Sequence, residues 1–146
     1  MHRYQILMEY VGTNFYGWQY QKKQITIQGT VEKILKKILK EKVKLYGSGR
    51  TDSKVHAIEQ SAHFDVKNKI NNIKKFFNTL NFFLNGKFIT VLKIKKRPLT
   101  FHARYSAKKR IYKYLIHNRE SLPSIDRDRG WYCLLYTSPS PRDGRI

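Results

Sequence analysis

The sequence predicts an α+β fold in which strands and helices follow one another in the order β-α-β-β-α-β. Apolar side chains alternate along the first residues, as expected of a strand with one buried face. Two later segments repeat apolar residues at helical spacing, and short runs typical of strands follow each of them. This order is the ferredoxin-like arrangement, in which helices cover one face of an antiparallel sheet.

The first part of the pattern contains a strand, a helix and a short second strand. Residues 3–11 form the first predicted strand, and its buried face carries Tyr4, Ile6, Met8 and Tyr10. The polar and aromatic loop GTNFYGWQYQKKQ follows. A helix is then predicted from the spacing of its apolar positions, which are Ile27, Val31, Ile34, Leu35 and Ile38. Residues 43–46 are predicted to be a short strand that leads into a glycine-rich turn.

The second part contains two strands around a second helix. Residues 58–66 form the third predicted strand. The second helix is expected to start near Asn68 and to end near Asn85, on the apolar positions Ile70, Ile73, Phe76, Phe77, Leu80 and Phe83. Residues 88–94 form the fourth strand, closed by KKRP. Pro98 is therefore the predicted end of a first domain, residues 1–98.

Beyond Pro98 the sequence predicts the beginning of a second α+β domain, residues 99–132. The segment ARYSAKKRIYKYLIHN is expected to be a long strand or a hairpin. Residues 133–146 differ in composition, because lysine disappears and Ser, Pro and Arg replace the earlier Lys, Ile and Asn. This tail resembles the translation of a sequencing adapter, with a short disordered tail as the alternative, and we exclude it from the fold prediction. The natural protein is accordingly expected to be longer than this chain.

The charge of the chain favours a polyanionic partner. There are 30 Lys and Arg residues against 10 Asp and Glu, which gives a net charge of +20. Nucleic acid is the main class of partner for such a protein, and the alternative is a solvated, lysine-rich surface. The candidate phosphate contacts are Lys22, Lys23, Arg104, Lys108, Lys109 and Arg110.

Several other classes of protein are disfavoured. The first residues lack the apolar run of a signal peptide, and no stretch approaches the ~18 consecutive apolar residues of a membrane span. The single cysteine, Cys133, offers neither a disulfide nor a thiolate cluster. His56, His63 and His102 have no Cys or carboxylate cluster at ligand spacing. We therefore expect a soluble, cytoplasmic protein without a bound metal and without a membrane partner.

The stretch GSGRTDSKVHA, residues 47–57, places a carboxylate in this strongly basic chain. Gly47 and Gly49 allow a sharp turn and the close approach of a ligand. Arg50 and Asp52 are two residues apart, so they share a face in extended backbone. An ionised carboxylate can act as a nucleophile, and the guanidinium could hold it or bind a phosphate. The alternative is a turn-capping Asp with a surface ion pair.

The motifs around this stretch resemble those of the TruA family, the tRNA pseudouridine synthases. GSGRTDSKVHA is similar to the active-site segment of that family, and four other segments match in the same order: YVGTNFYGWQ, TIQGTVEKIL, AHFD and FHARYSAKKRIYKY. The resemblance covers essentially residues 1–118. It implies that Asp52 is the catalytic aspartate, Arg50 its arginine partner and Tyr112 the tyrosine that stacks on the target base. Lys54 departs from the pattern, because the family commonly has glycine there.

The resemblance implies an activity and its partners. The expected reaction converts uridines of the tRNA anticodon stem-loop to pseudouridine, and it needs no redox cofactor because nothing is oxidised. Base addition and a sugar intermediate stay open as routes. A homodimer is expected at full length, and this chain alone is expected to be inactive.

Two non-enzymatic classes would also explain the charge. An RNA-recognition module would carry an aromatic string in its third strand, and IEQSAHFDV has none. A ribosomal-type structural protein would leave Arg50 and Asp52 unexplained. Phe15, Tyr16 and Trp18 would either stack on RNA or pack the loop that contains them.

Overall fold

The computed structural model describes residues 1–132. These form two compact units, of which the first comprises residues 1–108 and the second begins at Lys109. The elements of the first unit are β1 (His2–Tyr10), α1 (Ile27–Leu39), β2 (Tyr46–Gly47), β3 (Ala57–Val66), α2 (Ile73–Leu84) and β4 (Ile89–Arg97). The second unit contains two short strands, β5 (Ile116–His117) and β6 (Trp131–Tyr132).

The sheet of the first unit confirms the predicted fold class. Its strand order is β2-β3-β1-β4, and every neighbouring pair is antiparallel. In the centre of the sheet Ile6 lies opposite Ala62 on one side and Ile94 on the other. The predicted face of β1 is buried, and it packs in one apolar cluster with residues of α1 and α2. The arrangement is that of a ferredoxin-like domain.

The two helices begin at side-chain caps. The Oγ1 of Thr26 accepts a hydrogen bond from the Gly29 N–H at 3.1 Å, at the start of α1. The Oδ1 of Asn72 accepts from the Lys75 N–H at 3.0 Å, at the start of α2. Helix α2 therefore begins later than the expected position near Asn68. The intervening turn is held elsewhere, since the Ile70 N–H donates to the hydroxyl of Tyr4 at 2.9 Å.

The strand predicted at residues 43–46 is paired only at its end. Val43 and Leu45 are buried as the apolar pattern indicates, but β2 comprises only Tyr46–Gly47. The backbone of Leu45 is bound by side chains of α1 instead of by a neighbouring strand. Its N–H donates to the Glu32 carboxylate at 2.8 Å, and its carbonyl accepts from the Gln28 amide at 3.0 Å. These bonds satisfy the buried peptide groups that a strand partner would otherwise satisfy.

Residues 99–108 belong to the first compact unit. A guanidinium nitrogen of Arg3 donates to the carbonyl of Leu99 at 2.9 Å, and the Ala103 N–H donates to Nδ1 of His63 at 3.0 Å. This segment thus covers part of the sheet face opposite the helices. A functional division of the chain at Pro98 stays a prediction.

The long strand expected within residues 103–118 is absent from the described part of the chain. Residues 107–115 have no regular secondary structure, and the following β5 pairs in parallel with β6 over two residues. A strand is stabilised by hydrogen bonds to a neighbouring strand, and β6 provides this only for Ile116 and His117.

His63 is the most deeply buried histidine of the described residues. It is 1% exposed, and its ring stacks on that of Tyr46 with 5.0 Å between the centroids. Burial, together with the positive charges of Arg3 and His102, lowers the pKa of His63 from its ordinary value of 6.5 to about 4. The folded protein therefore holds the neutral imidazole at neutral pH.

We predict that His63 makes the fold sensitive to mild acid. Between pH 6.5 and about pH 4 the unfolded chain binds the proton that the folded chain excludes. The free energy of unfolding should fall by roughly 3 kcal/mol across that window, at about 1.36 kcal/mol per pKa unit. Urea titrations of the chain at several pH values measure it. The pKa of Asp65 is lowered by its hydrogen bond to Arg3, so its stabilising effect disappears only at still lower pH.

The control variant is His63→Asn, which keeps an acceptor for the Ala103 N–H. Its stability should depend much less on pH in the same window, with a residual slope from His2, whose pKa is also lowered. Parallel pH profiles for the variant and the parent chain would assign the acid sensitivity to another group.

Candidate active site

The candidate site is the loop of residues 48–56, which joins β2 to β3. On one side of Asp52, the carbonyl of Thr51 accepts from the Trp18 N–H at 3.0 Å. The hydroxyl of Thr51 shares a hydrogen bond of 2.8 Å with that of Tyr10 at the end of β1. On the other side, the carbonyl of Asp52 itself accepts from the Val55 N–H at 3.2 Å. The backbone on both sides of Asp52 is therefore fixed.

Much of this support comes from a second loop, residues 11–18. The Lys54 N–H donates to the carbonyl of Phe15 at 3.1 Å, and the Gly12 N–H donates to Nδ1 of His56 at 2.8 Å. Gly17 has a φ of +85°, and a Cβ there would lie 2.8 Å from the carbonyl oxygen of Thr51. Only glycine allows this approach without strain. The loops that carry the two sequence motifs GTNFYGW and GSGRTDSKVHA are thus packed together and hydrogen-bonded to each other.

Gln60, which the sequence analysis did not single out, fixes the start of the loop. Its amide donates to the carbonyl of Gly49 at 2.6 Å, and its Oε1 accepts from the Ser48 hydroxyl at 3.0 Å. Gln60 is 8% exposed, although it lies on β3 next to the loop. The sequence indicates such a role only through the position of Gln60, in a predicted strand just after a glycine-rich turn. An amide buried there requires hydrogen-bond partners, and the turn is the nearest source of them.

The side chains of Arg50 and Asp52 both lie at the surface. Among residues 1–132 no ion pair joins the guanidinium of Arg50 to the carboxylate of Asp52. The Asp52 carboxylate also accepts no hydrogen bond from the described residues. The carboxylate of Asp52 is therefore exposed to solvent on a fixed backbone, where a ligand can reach it.

The aromatic residues of the second loop have different environments. Phe15 and Trp18 are 6% and 3% exposed and belong to the apolar core. The Trp18 ring lies 6.3 Å from that of Tyr10, measured between centroids. Tyr16 is 48% exposed. Of the two alternatives, packing applies to Phe15 and Trp18, and Tyr16 alone is left for contact with RNA.

Comparison with known proteins identifies the family. The family model described as tRNA pseudouridine synthase matches residues 6–106. The chain belongs to this family. It is 60% identical over 134 residues to tRNA pseudouridine synthase A of Pelagibacter ubique, covering 92% of this chain and 54% of that protein.

Two further relatives carry the same name. The protein of Caldicellulosiruptor bescii is 46% identical over 127 residues, covering 87% of this chain and 51% of the relative. That of Ehrlichia ruminantium is 45% identical over 130 residues, covering 88% and 52%. The chain thus spans about half the length of the curated relatives it matches.

The other residues expected to act in a tRNA pseudouridine synthase lie in both units. Lys22, Lys23, Arg104 and Lys108 are exposed on the first unit. Lys109, Arg110 and Tyr112 belong to the second unit, where Tyr112 is 67% exposed. The structure brings Arg50 and Asp52 onto one loop, and the approach of Tyr112 to that loop stays a prediction.

The described residues offer neither a metal site nor a membrane-spanning helix. Within residues 1–132 no group of three His, Cys, Asp or Glu side chains could hold a metal ion. Nδ1 of His56 and Nδ1 of His63 each already accept a backbone hydrogen bond. No helix in the described part of the chain is both long and apolar enough to span a bilayer. Residues 133–146, predicted to be a non-native tail, lie outside the described residues.

Lys54 is strained, and we predict that glycine there stabilises the protein. Its φ is +67°, in the left-handed region that costs a residue with a Cβ about 1 kcal/mol. Lys54→Gly should raise the free energy of unfolding by about 1 kcal/mol, as measured by urea titration. Lys54→Ala is the matched control, because it removes the same charge and keeps the strain. If the glycine variant is no more stable than the alanine variant, this backbone is not strained.

Proposed function

We propose that the protein containing this chain is a tRNA pseudouridine synthase that acts on uridines of the anticodon stem-loop, with Asp52 as its nucleophile. The observation that carries the proposal is the exposed carboxylate of Asp52 on a backbone fixed from both sides. Membership of the tRNA pseudouridine synthase family supports it, as does the net charge of +20. The positive charge of the chain attracts RNA, and the carboxylate of Asp52 supplies a reactive group at the surface.

The reaction is an isomerisation. The bond between C1′ of the ribose and N1 of uracil breaks, the base turns, and C1′ forms a new bond to C5. The proton on C5 is lost and N1 gains one, so atoms and electrons balance without an oxidant or reductant. Asp52 is suited to this because its exposed carboxylate supplies a nucleophilic oxygen. It attacks either the uracil ring or the sugar carbon, and both routes use one carboxylate oxygen.

Arg50 and Tyr112 have supporting roles in this proposal. Arg50 shares the loop with Asp52 without being ion-paired to it in the described residues, so its guanidinium is able to bind a phosphate of the bound RNA. The target base has to leave its stack, which costs a few kcal/mol. Tyr112 offsets part of that cost by stacking on the base, a contact that contributes about 1–3 kcal/mol. Lys22, Lys23, Arg104, Lys108, Lys109 and Arg110 bind phosphates around the site.

The same proposal includes the assembly and its location. By the family resemblance the whole protein is a cytoplasmic homodimer, and its second domain supplies the far wall of the cleft. No redox cofactor takes part, because the reaction oxidises nothing.

The test uses a version of the protein extended to the length of its relatives. We expect it to release tritium into water from tRNA that carries C5-labelled uridine. The matched substrate is the same tRNA with the uridines of the anticodon stem-loop replaced by cytidine, and its release should disappear. Undiminished release from that substrate would place the target elsewhere in the tRNA. No release from any uridine-containing tRNA would contradict the synthase assignment itself.

A further inference from the structure

The first unit carries a cluster of exposed lysines at the end opposite the candidate active site. Strand β1 begins at this end, and β3, α1 and β4 finish there while α2 starts there. The Lys67 N–H donates to the Glu41 carboxylate at 3.1 Å, which ties the turn after β3 to the end of α1. We call these residues the distal lysine cluster: Lys40, Lys42, Lys67, Lys69, Lys74, Lys75 and Lys96.

The described acidic residues leave most of the charge of the distal lysine cluster unneutralised. Asp65, at the end of β3, is bound by Arg3 through two hydrogen bonds of 2.8 and 2.9 Å. Glu41, whose carboxylate accepts a backbone N–H, offsets only one of the seven positive charges. None of the seven lysines forms an ion pair with an acidic side chain of residues 1–132. The cluster therefore presents a strong positive field to solvent.

Two of these lysines occupy positions that are electrostatically unfavourable for helix α2. Lys74 and Lys75 lie in the first turn of α2, where the helix dipole disfavours positive charge and where no acidic residue compensates. Partial burial, followed by the positive charges of Lys96, the amino terminus and Lys69, lowers the pKa of His2, so two lysines of the cluster contribute to a local excess of positive charge. A bound polyanion would remove these unfavourable terms.

The distance along β1 indicates which part of an RNA could reach the cluster. The nine residues of β1 join the two ends of the unit, a span of about 27 Å at about 3.4 Å per residue. Nucleotides of one duplex strand are about 3.4 Å apart along the helix axis. For an RNA duplex that runs parallel to β1, a phosphate at the cluster would therefore lie roughly eight base pairs from a uridine at Asp52.

We propose that the distal lysine cluster binds the phosphate backbone of the tRNA body, at a distance of about eight base pairs from the target uridine. The proposal rests on the proposed function for the identity of the RNA. Lysine suits this role because it acts as a point charge toward phosphates and reads no sequence. The cluster thereby adds affinity for intact tRNA without contacting the anticodon stem-loop.

The experiment measures binding by the 146-residue chain to two probes across a series of salt concentrations. One probe is an intact, unmodified tRNA, and the other is a stem-loop that carries only the anticodon arm. The cluster variant combines Lys69→Gln, Lys74→Gln and Lys75→Gln. The matched control combines Lys33→Gln, Lys87→Gln and Lys93→Gln, which are exposed lysines outside the cluster. A third variant replaces the same three cluster lysines by arginine, which keeps the charge.

For the intact tRNA, we expect the cluster variant to reduce the slope of log K against log salt by about 2 to 3. Its binding to the stem-loop should match that of the control variant, and the arginine variant should restore the slope. Equal losses for the cluster and control variants on intact tRNA would overturn the proposal, since only net charge would then matter. An equal loss on both probes would also overturn it, because the cluster would then bind the anticodon arm.

The proposed function is assessed separately by tritium release from the extended protein. One outcome is that the extended protein forms no pseudouridine while the cluster variant still shows a reduced slope of log K against log salt for intact tRNA. That result would contradict the synthase assignment and support RNA binding by the distal lysine cluster. If pseudouridine forms and the cluster variant binds tRNA like the control variant, the distal lysine cluster does not bind tRNA and the synthase assignment is supported.

Discussion

Asp52→Asn in the extended protein should abolish pseudouridine formation and leave the affinity for tRNA within a few-fold. Asparagine has nearly the same shape but lacks the negative charge and the nucleophilic oxygen. We expect turnover to fall by on the order of 10⁴-fold or more, the scale of loss when a nucleophile is removed from an enzyme. Binding should not weaken, because the removed charge repels phosphates. Tritium release and filter binding on the same preparations measure the two effects.

The structure supplies a control for this variant. Glu59 is an exposed carboxylate on β3, and Glu59→Gln makes the same change in net charge. That variant should retain turnover. Because the backbone of Asp52 is fixed through Thr51 and Val55, the asparagine should not disturb the loop. Substantial turnover by Asp52→Asn would remove Asp52 from the role of nucleophile.

The second large effect concerns the length of the chain. We predict that residues 1–146 alone form no detectable pseudouridine, and that extending the chain to the length of its relatives restores activity. Tyr112 lies in the second unit, and residues 107–115 have no regular secondary structure to position it. A displacement of about 1 Å in an active site can cost roughly 100-fold in rate. A missing cleft wall should cost considerably more.

The measurement compares the purified 146-residue chain with the extended protein in the same tritium assay. Hydrogen exchange on the shorter chain is the control for folding. Amides of β1, β3 and β4 should be protected, because these strands pair over most of their length around a buried core. Amides of residues 107–115 should exchange quickly. Normal turnover by the 146-residue chain would show that the remainder of the protein is dispensable for catalysis.

From β1 to β4, local pattern in the sequence was sufficient for the order of elements and for their buried faces. The alternation of Tyr4, Ile6, Met8 and Tyr10 predicted the core side of β1, since side chains of a strand point to opposite faces in turn. The glycine-rich stretch and its carboxylate singled out Asp52 before any contact was known. A family preference for glycine at the position of Lys54 also raised the question of a positive φ, which the structure answers with +67°.

Only the tertiary structure shows which hydrogen bonds and packing contacts join these elements and loops. The peptide groups of Leu45 are bound by Gln28 and Glu32, so residues 43–45 are buried without becoming a strand. Trp18 binds the loop of Asp52 from more than thirty residues away, and its ring is buried in the apolar core. Such contacts depend on which distant groups are available to satisfy a buried N–H or carbonyl. Periodicity reports only which face of one element is apolar, so it could not predict them.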